Sequence, residues 1–328
     1  ARSCCCRDHT SGGAKVEFQS LIRGVQVISY DICNGIQCDM AKRSSTAALI
    51  LALLGCVAPT AQAFDIGQAV RLVKMLDPGS ESGRERSTGQ TEVSLPRGNG
   101  TFAACLEHFA NGVPPRVPNA DARRAKPLCF NGFAVLHSGQ TKTPIYAAAV
   151  LNRDRILAAR KQERTNIFFA DARLPARERA NLDDYRGSGF DRGHNVPAAD
   201  LATAQGVAQS FSLANMMPQA PKNNQGQWAD IEQATRKYIL RAKGDVYVFT
   251  GSLLLPGECQ YALPNCQIGS GVTVPSHIFK LVYDPSTERA WAHWLPNRDD
   301  ARASKPIRYE ELVARTGIEF LPGINPRN

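Results

Sequence analysis

Several features are missing from this 328-residue chain. No apolar run reaches the ~20 residues that a membrane-spanning helix needs. No CxxC pair occurs among the 10 cysteines, so the commonest zinc and redox spacings are absent. No internal repeat is visible, and strand and helix patterns do not alternate regularly. The last point weighs against a parallel α/β fold. What remains is a basic chain, net +9, with its chemistry concentrated in one stretch.

The N-terminal region reads as a leader. Met40 opens it, Lys42 and Arg43 supply positive charge, and Ala47 to Val57 is an apolar run too short to span a bilayer. Ala61-Gln62-Ala63 is a small-x-small cleavage site. The expectation is a signal peptide over 40–63 and a periplasmic or secreted protein after cleavage near Ala63. Leu53-Leu54-Gly55-Cys56 offers lipoprotein anchoring at Cys56 as a lesser alternative. Residues 1–39 then read as an upstream extension from a mis-assigned start, with Cys4, Cys5, Cys6, Cys33 and Cys38 in no coherent pattern.

Residues 64–328 keep 33 Lys and Arg against 26 Asp and Glu, a net of +7. A moderately basic protein suits a polyanionic substrate, although charge alone is weak evidence. The four cysteines left in this part, Cys105, Cys129, Cys259 and Cys266, fit two disulfides. Closeness in sequence favours Cys105–Cys129 and Cys259–Cys266 among three pairings; a four-thiolate zinc site is the competing reading.

Residues 64–128 read as an N-terminal arm or linker, with a short amphipathic helix over 64–76 and a Gly/Ser/Pro-rich stretch over 77–100. From Cys129 the pattern changes, and 129–328 is expected to be the working domain. Phe133–His137 and Ile145–Leu151 form a hairpin signature. Asp245–Thr250, His277–Tyr283 and Arg289–Trp294 read as further strands, with Asp284 to Thr287 turning between the last two. Helices are expected over Ala199–Gln209, Gln225–Ala242 and Tyr309–Thr316, the last stopped by Gly317. The predicted class is α+β, with a mostly antiparallel central sheet and helices.

The stretch 191–232 carries the chemistry. It contains Asp191-Arg192-Gly193-His194-Asn195, then Asn215-Met216-Met217-Pro218-Gln219, then Asn224-Gln225-Gly226-Gln227-Trp228 and Glu232. Cleaving a phosphodiester takes an oriented nucleophile, charge relief at phosphorus and help for the departing alkoxide. Neutral His194 can deprotonate water. Arg192, two residues before it on an extended segment, shares its side and can grip phosphate. Asn224 stands at the expected helix start, as an N-cap, as a metal ligand, or both. Glu232 lies a rise of about 12 Å further on, at ~1.5 Å per residue. It is too far to bind the same ion directly, but it can hold metal-bound water. A single amide ligand suits magnesium better than zinc. Taken singly, His194 could be structural, Glu232 a solvated helix residue, and Arg192 a salt-bridge partner of Asp191. His137, His277 and His293 sit in strand patterns and read as structural, and Trp228 and Tyr238 as helix core.

The run Tyr185-Arg186-Gly187-Ser188-Gly189-Phe190-Asp191-Arg192-Gly193-His194 closely resembles the DNA/RNA non-specific endonucleases. So do Asn215 with Pro218-Gln219, and Asn224-Gln225-Gly226 with Trp228 and Glu232. These endonuclease G-like enzymes belong to the ββα-metal (His-Me finger) superfamily. Weaker likeness extends over about two hundred residues, from Phe133 to Pro322. The resemblance implies a ββα-metal motif, His194 as general base, Asn224 as the single protein ligand of Mg2+ (with Mn2+ as substitute) and Glu232 orienting metal-bound water. It implies Arg192 near phosphate, and Asp191, Asn215 and Gln219 shaping the site. A second, upstream arginine near phosphate matches Arg164 loosely, with Arg153 and Arg155 as alternatives. DNA and RNA are the implied substrates, with 5′-phosphate products; a homodimer stays open. A non-catalytic nucleic-acid-binding protein on the same scaffold is the competing function.

Overall fold

A computed structural model describes residues 100–259 and 263–327. The segments expected to be a leader and an upstream extension, and the expected arm up to residue 99, lie outside the described residues. Eleven strands follow in chain order: β1 (Ala125–Phe130), β2 (Phe133–Ser138), β3 (Thr143–Leu151), β4 (Asp191–His194), β5 (Met216–Gln219), β6 (Val246–Leu253), β7 (Gln267–Ile268), β8 (Val272–Thr273), β9 (His277–Asp284), β10 (Arg289–Pro296) and β11 (Ile307–Arg308). Seven of them form one sheet in the order β1-β2-β3-β6-β9-β10-β11. Every neighbouring pair in it is antiparallel. The chain is thus α+β with an antiparallel central sheet.

The sheet is covered on both faces, which is why β3 is buried along its whole length. Tyr146 and Ala148 face one apolar cluster, and Ala147, Ala149 and Leu151 face the other. That is the period-2 alternation of a strand. The first cluster is aromatic: Phe102, Phe109, Phe249, Phe279 and Phe320 gather about Tyr146. Helix Tyr309–Thr316 closes it with Leu312 and ends at Gly317, whose φ of 71° suits glycine as a left-handed stop. Phe102, Cys105 and Phe109 come from a segment that sequence patterning placed in the arm. They are buried there, and a Cys105–Cys129 disulfide fastens them to β1. The reason for the difference is tertiary: isolated aromatics with no periodicity become core when a bond and a sheet face hold them. A second disulfide joins Cys259 and Cys266.

The other face carries the helices. They are α1 (Arg153–Ala159), α2 (Leu182–Tyr185), α3 (Ala204–Ser210), a long interrupted α4, and α5 (Tyr309–Thr316) on the first face. The helix expected over Ala199–Gln209 is shorter, because Thr203 caps α3 by accepting a 3.0 Å bond from Gly206 N. α4 opens as the turn Pro221–Asn223, passes through a π-helical turn Asn224–Trp228, and runs on as Ala229–Ile239. Ile239 anchors its far end among Val207, Phe211 and Val246.

Histidines in this scaffold are held neutral. His108 and His137 are buried. Burial, with Arg155 nearby, pushes the His108 imidazole down to about 3, and burial pushes His137 and His293 down to about 4. In the unfolded chain these rings take a proton near pH 6.5. Between there and about 4 the unfolded state binds more protons, so stability falls as pH drops, by about 1.4 kcal/mol per unit for each ring. Thermal unfolding is expected to shift down on the order of 10 °C from pH 7.5 to pH 5; an unchanged midpoint would contradict this account.

Candidate active site

β4 and β5 pair antiparallel, with Asp191 opposite Gln219, Arg192 opposite Pro218, Gly193 opposite Met217 and His194 opposite Met216. α4 follows at once, giving a ββα unit. Along β4 the side chains of Arg192 and His194 share one side and Gly193 the other. A Cβ on Gly193 would lie 2.7 Å from the Cβ of buried Gln219 and collide with its Oε1. Glycine is therefore required where the strand presses on Gln219. Asn215 fixes the chain just past His194: its Nδ2 donates to Val196 O (2.9 Å) and Ser210 O (3.0 Å), and its Oδ1 accepts from Val196 N (3.0 Å). Buried Asn297, which sequence patterning did not single out, accepts from Ala220 N at 2.9 Å and donates to Pro218 O at 3.0 Å. It ties the β5–α4 junction to the end of β10.

His194 is half-buried, yet its Nε2 is buried and has no hydrogen-bond partner. Two phenylalanines flank the ring, Phe211 edge-on at 5.0 Å and Phe168 tilted at 5.9 Å. Each carries a guanidinium: Arg164 lies 5.3 Å from the Phe211 centroid and Arg192 4.1 Å from that of Phe168. Such stacking lets a cation stay at the site with its donors open. Burial, then the charges of Arg164 and Arg192, push the His194 imidazole down to about 3. It is neutral at pH 7. Of the other upstream arginines, Arg153 donates to Leu240 O (2.7 Å) and Arg155 to Val150 O (2.9 Å). Arg164 is the one whose charge acts on both His194 and Glu232.

Asp191 faces α4. Its Oδ2 accepts from Asn224 Nδ2 at 2.9 Å and from Gln225 Nε2 at 2.8 Å. A carboxylate only accepts, so the Asn224 amide must present nitrogen to Asp191 and turn its oxygen away. Asn224 is not the helix cap expected from sequence. It has helical angles, φ −55° and ψ −47°, because Pro221 starts the helix one turn earlier. It opens the π-helical turn, a feature common at functional sites.

Glu232 lies further along α4, 4.0 Å from Arg236, which binds buried Asp200 at 2.9 Å. Burial raises the Glu232 carboxyl to about 7, against the pull of Lys280, Arg236 and Arg164. That shift runs opposite in sense to those of the histidines. Lys280 comes up from β9 beneath the helix, buried, donating to Thr250 Oγ1 at 2.7 Å and 5.4 Å from the Trp228 ring. Its own pKa is lowered by burial, with Glu232 and Asp200 opposing. Arg236 was legible as the i+4 partner of Glu232, and Lys280 as a lone charge in the apolar run HIFKLVY. Asp200, Phe168 and Phe211 had no local signal.

A family model described as DNA/RNA non-specific endonuclease matches residues 116–327. The chain belongs to that family. It is 34% identical over 237 residues to "Nuclease 1, mitochondrial" of Schizosaccharomyces pombe, covering 67% of this chain and 71% of that protein. It is 32% identical to "Endonuclease G, mitochondrial" of Homo sapiens over 65% of this chain and 73% of that one. With "Nuclease" of Nostoc it shares 31% identity over 60% and 73%. A solved structure titled as an EndoG/EndoGI complex superposes with a TM-score of 0.51 at 24% identity, covering 61% of this chain and 86% of that one, and shows a common fold. As a member of this family the chain is an endonuclease, a hydrolase of nucleic acids. The expected location is corrected. The relatives from Schizosaccharomyces pombe, Saccharomyces cerevisiae and Homo sapiens carry mitochondrial names. The periplasm or medium, and with it an anchor at Cys56, is not the compartment they indicate. A basic segment followed by a short apolar run does not by itself name a compartment.

Gly193→Ala is expected to cost about 1–3 kcal/mol through overpacking against Gln219. The double variant G193A/Q219A should recover part of it in thermal unfolding. A single variant as stable as the parent would contradict the packing argument.

Proposed function

We propose that the chain hydrolyses phosphodiester bonds of DNA and RNA with little sequence preference. In this reading His194 is the general base, and Asn224 is the protein ligand of a magnesium ion, with manganese as substitute. One observation carries it: a His194 ring held neutral and an Asn224 amide whose nitrogen is taken by Asp191 stand on the two arms of one ββα unit. A ring nitrogen of His194 accepts the proton of an attacking water. An approaching phosphate favours the imidazolium that results, offsetting the repulsion of Arg164 and Arg192. Those two guanidinium groups take the non-bridging oxygens.

The residues present fit a hard, hydrated cation. The Asn224 oxygen is a hard donor, and the Glu232 carboxylate can hold coordinated water. Among the described residues no group of three or more His, Cys, Asp and Glu that could hold a metal ion occurs. When bound, such a cation supplies charge relief at phosphorus and acidifies water beside the leaving oxygen. Asp191 orients the amide, and Arg236 with Lys280 hold Glu232 toward its ionised form. The named groups address phosphate and carry no base readout, which supports action on many sequences. Products with a 5′ phosphate follow from the family resemblance.

Plasmid nicking in magnesium is expected to stop on adding EDTA. His194→Ala should lower the single-turnover rate by at least about 100-fold with an unchanged unfolding midpoint. A His194→Ala protein that retains most of the metal-dependent nicking would overturn the assignment of the base.

A further inference from the structure

A cavity of about 430 Å³ opens between α1 and α4 beside the catalytic groups. Arg164 and Arg236 are part of its lining, and the charge of each acts on Glu232. Arg160 and Lys237 lie on its walls, both exposed. Its lining holds four cations and two amides, Gln162 and Gln233, and no carboxylate. Arg236 is spent on Asp200 and Glu232. Lys237 meets only the neutral Gln233 amide at 3.2 Å, and neither Lys237 nor Arg160 has a carboxylate partner among the described residues. An anion in the cavity gains attraction from both, with no carboxylate in the lining to oppose it. A second cavity, lined by Tyr185, Arg186 and Arg192, also has Asp191 in its lining and suits an anion less well.

We infer that the α1–α4 cavity binds the backbone phosphates of the substrate strand next to the scissile bond, with Arg160 and Lys237 as the cations that hold them. The inference rests on the nuclease reading and adds a path: the strand leaves the centre past Arg164 and runs between α1 and α4. The volume matches a nucleotide-sized ligand, within the ~300–1,000 Å³ usual for small-ligand sites. Arg160 and Lys237 are positioning residues that bind away from the reacting atoms, so they govern affinity and salt dependence and leave the chemical step alone.

The test is equilibrium binding of a fluorescent 20-nucleotide single strand in EDTA across a salt series, together with plasmid cleavage in magnesium. For R160A/K237A the dissociation constant is expected to rise about 10-fold at low salt. The log–log salt slope should become shallower by about 1.4, the loss of two single-strand phosphate contacts. On plasmid, KM rises and kcat holds. K126A/K305A removes the same charge from exposed positions outside the cavity and should leave the slope near that of the parent. An unchanged slope in R160A/K237A overturns the inference, as does a slope shared with the control variant. A fall in kcat with KM constant also overturns it, since the pair would then serve the chemistry. A parent protein that binds with the expected slope and cuts nothing would instead sink the nuclease reading and leave the cavity assignment standing.

Discussion

The Asp191 carboxylate joins the strand that carries His194 to the helix that carries Asn224. One of its oxygens accepts from both Asn224 and Gln225. Because the acceptor cannot be reversed, the bond fixes which end of the Asn224 amide faces outward. It also spans β4 and the π-helical turn, so the relative placement of His194 and Asn224 follows from it. The rest of the scaffold supports this join. Gly193 lets β4 lie on Gln219, Asn215 fastens the chain beyond His194, and Asn297 pins the β5–α4 corner to the large sheet.

Desolvation sets the electrostatics around that frame. The same burial drives His194 and Lys280 down and Glu232 up, each away from its charged form. The three groups respond differently to partners. His194 has only cations nearby, Arg164 and Arg192, and stays neutral. Glu232 and Lys280 pull each other back toward ionisation, with Asp200 and Arg236 as further members. A neutral His194 and a Glu232 carboxyl near its titration midpoint therefore coexist at pH 7 within one ββα unit.

Much of this was legible in the sequence because it is local. The strand runs from Phe133 to Trp294 announced themselves by alternation or apolar runs, and α5 by Gly317. The His194, Asn224 and Glu232 positions lie in one ordered stretch, so the ββα unit that carries them needed no long-range contact to be read. What was not legible depends on contacts across the chain. Phe102 and Phe109 look like linker residues until the sheet and Cys129 bring them under cover. Asp200 comes from a distant turn to meet Arg236 beside Glu232. Pro221 moved the helix start upstream and changed Asn224 from a terminal residue to an internal one. The inferred compartment failed for a different reason: it rested on segment composition, which does not specify a receptor.

The most direct measurement of the central claim is the magnesium dependence of single-turnover plasmid cleavage by Asp191→Ala beside the parent protein. Loss of the group that orients a ligand typically weakens metal binding about 10–100-fold. The magnesium midpoint should therefore rise by that factor, with the rate at saturating magnesium largely recovered. A midpoint equal to that of the parent would contradict the claim that Asp191 sets the Asn224 amide for the metal.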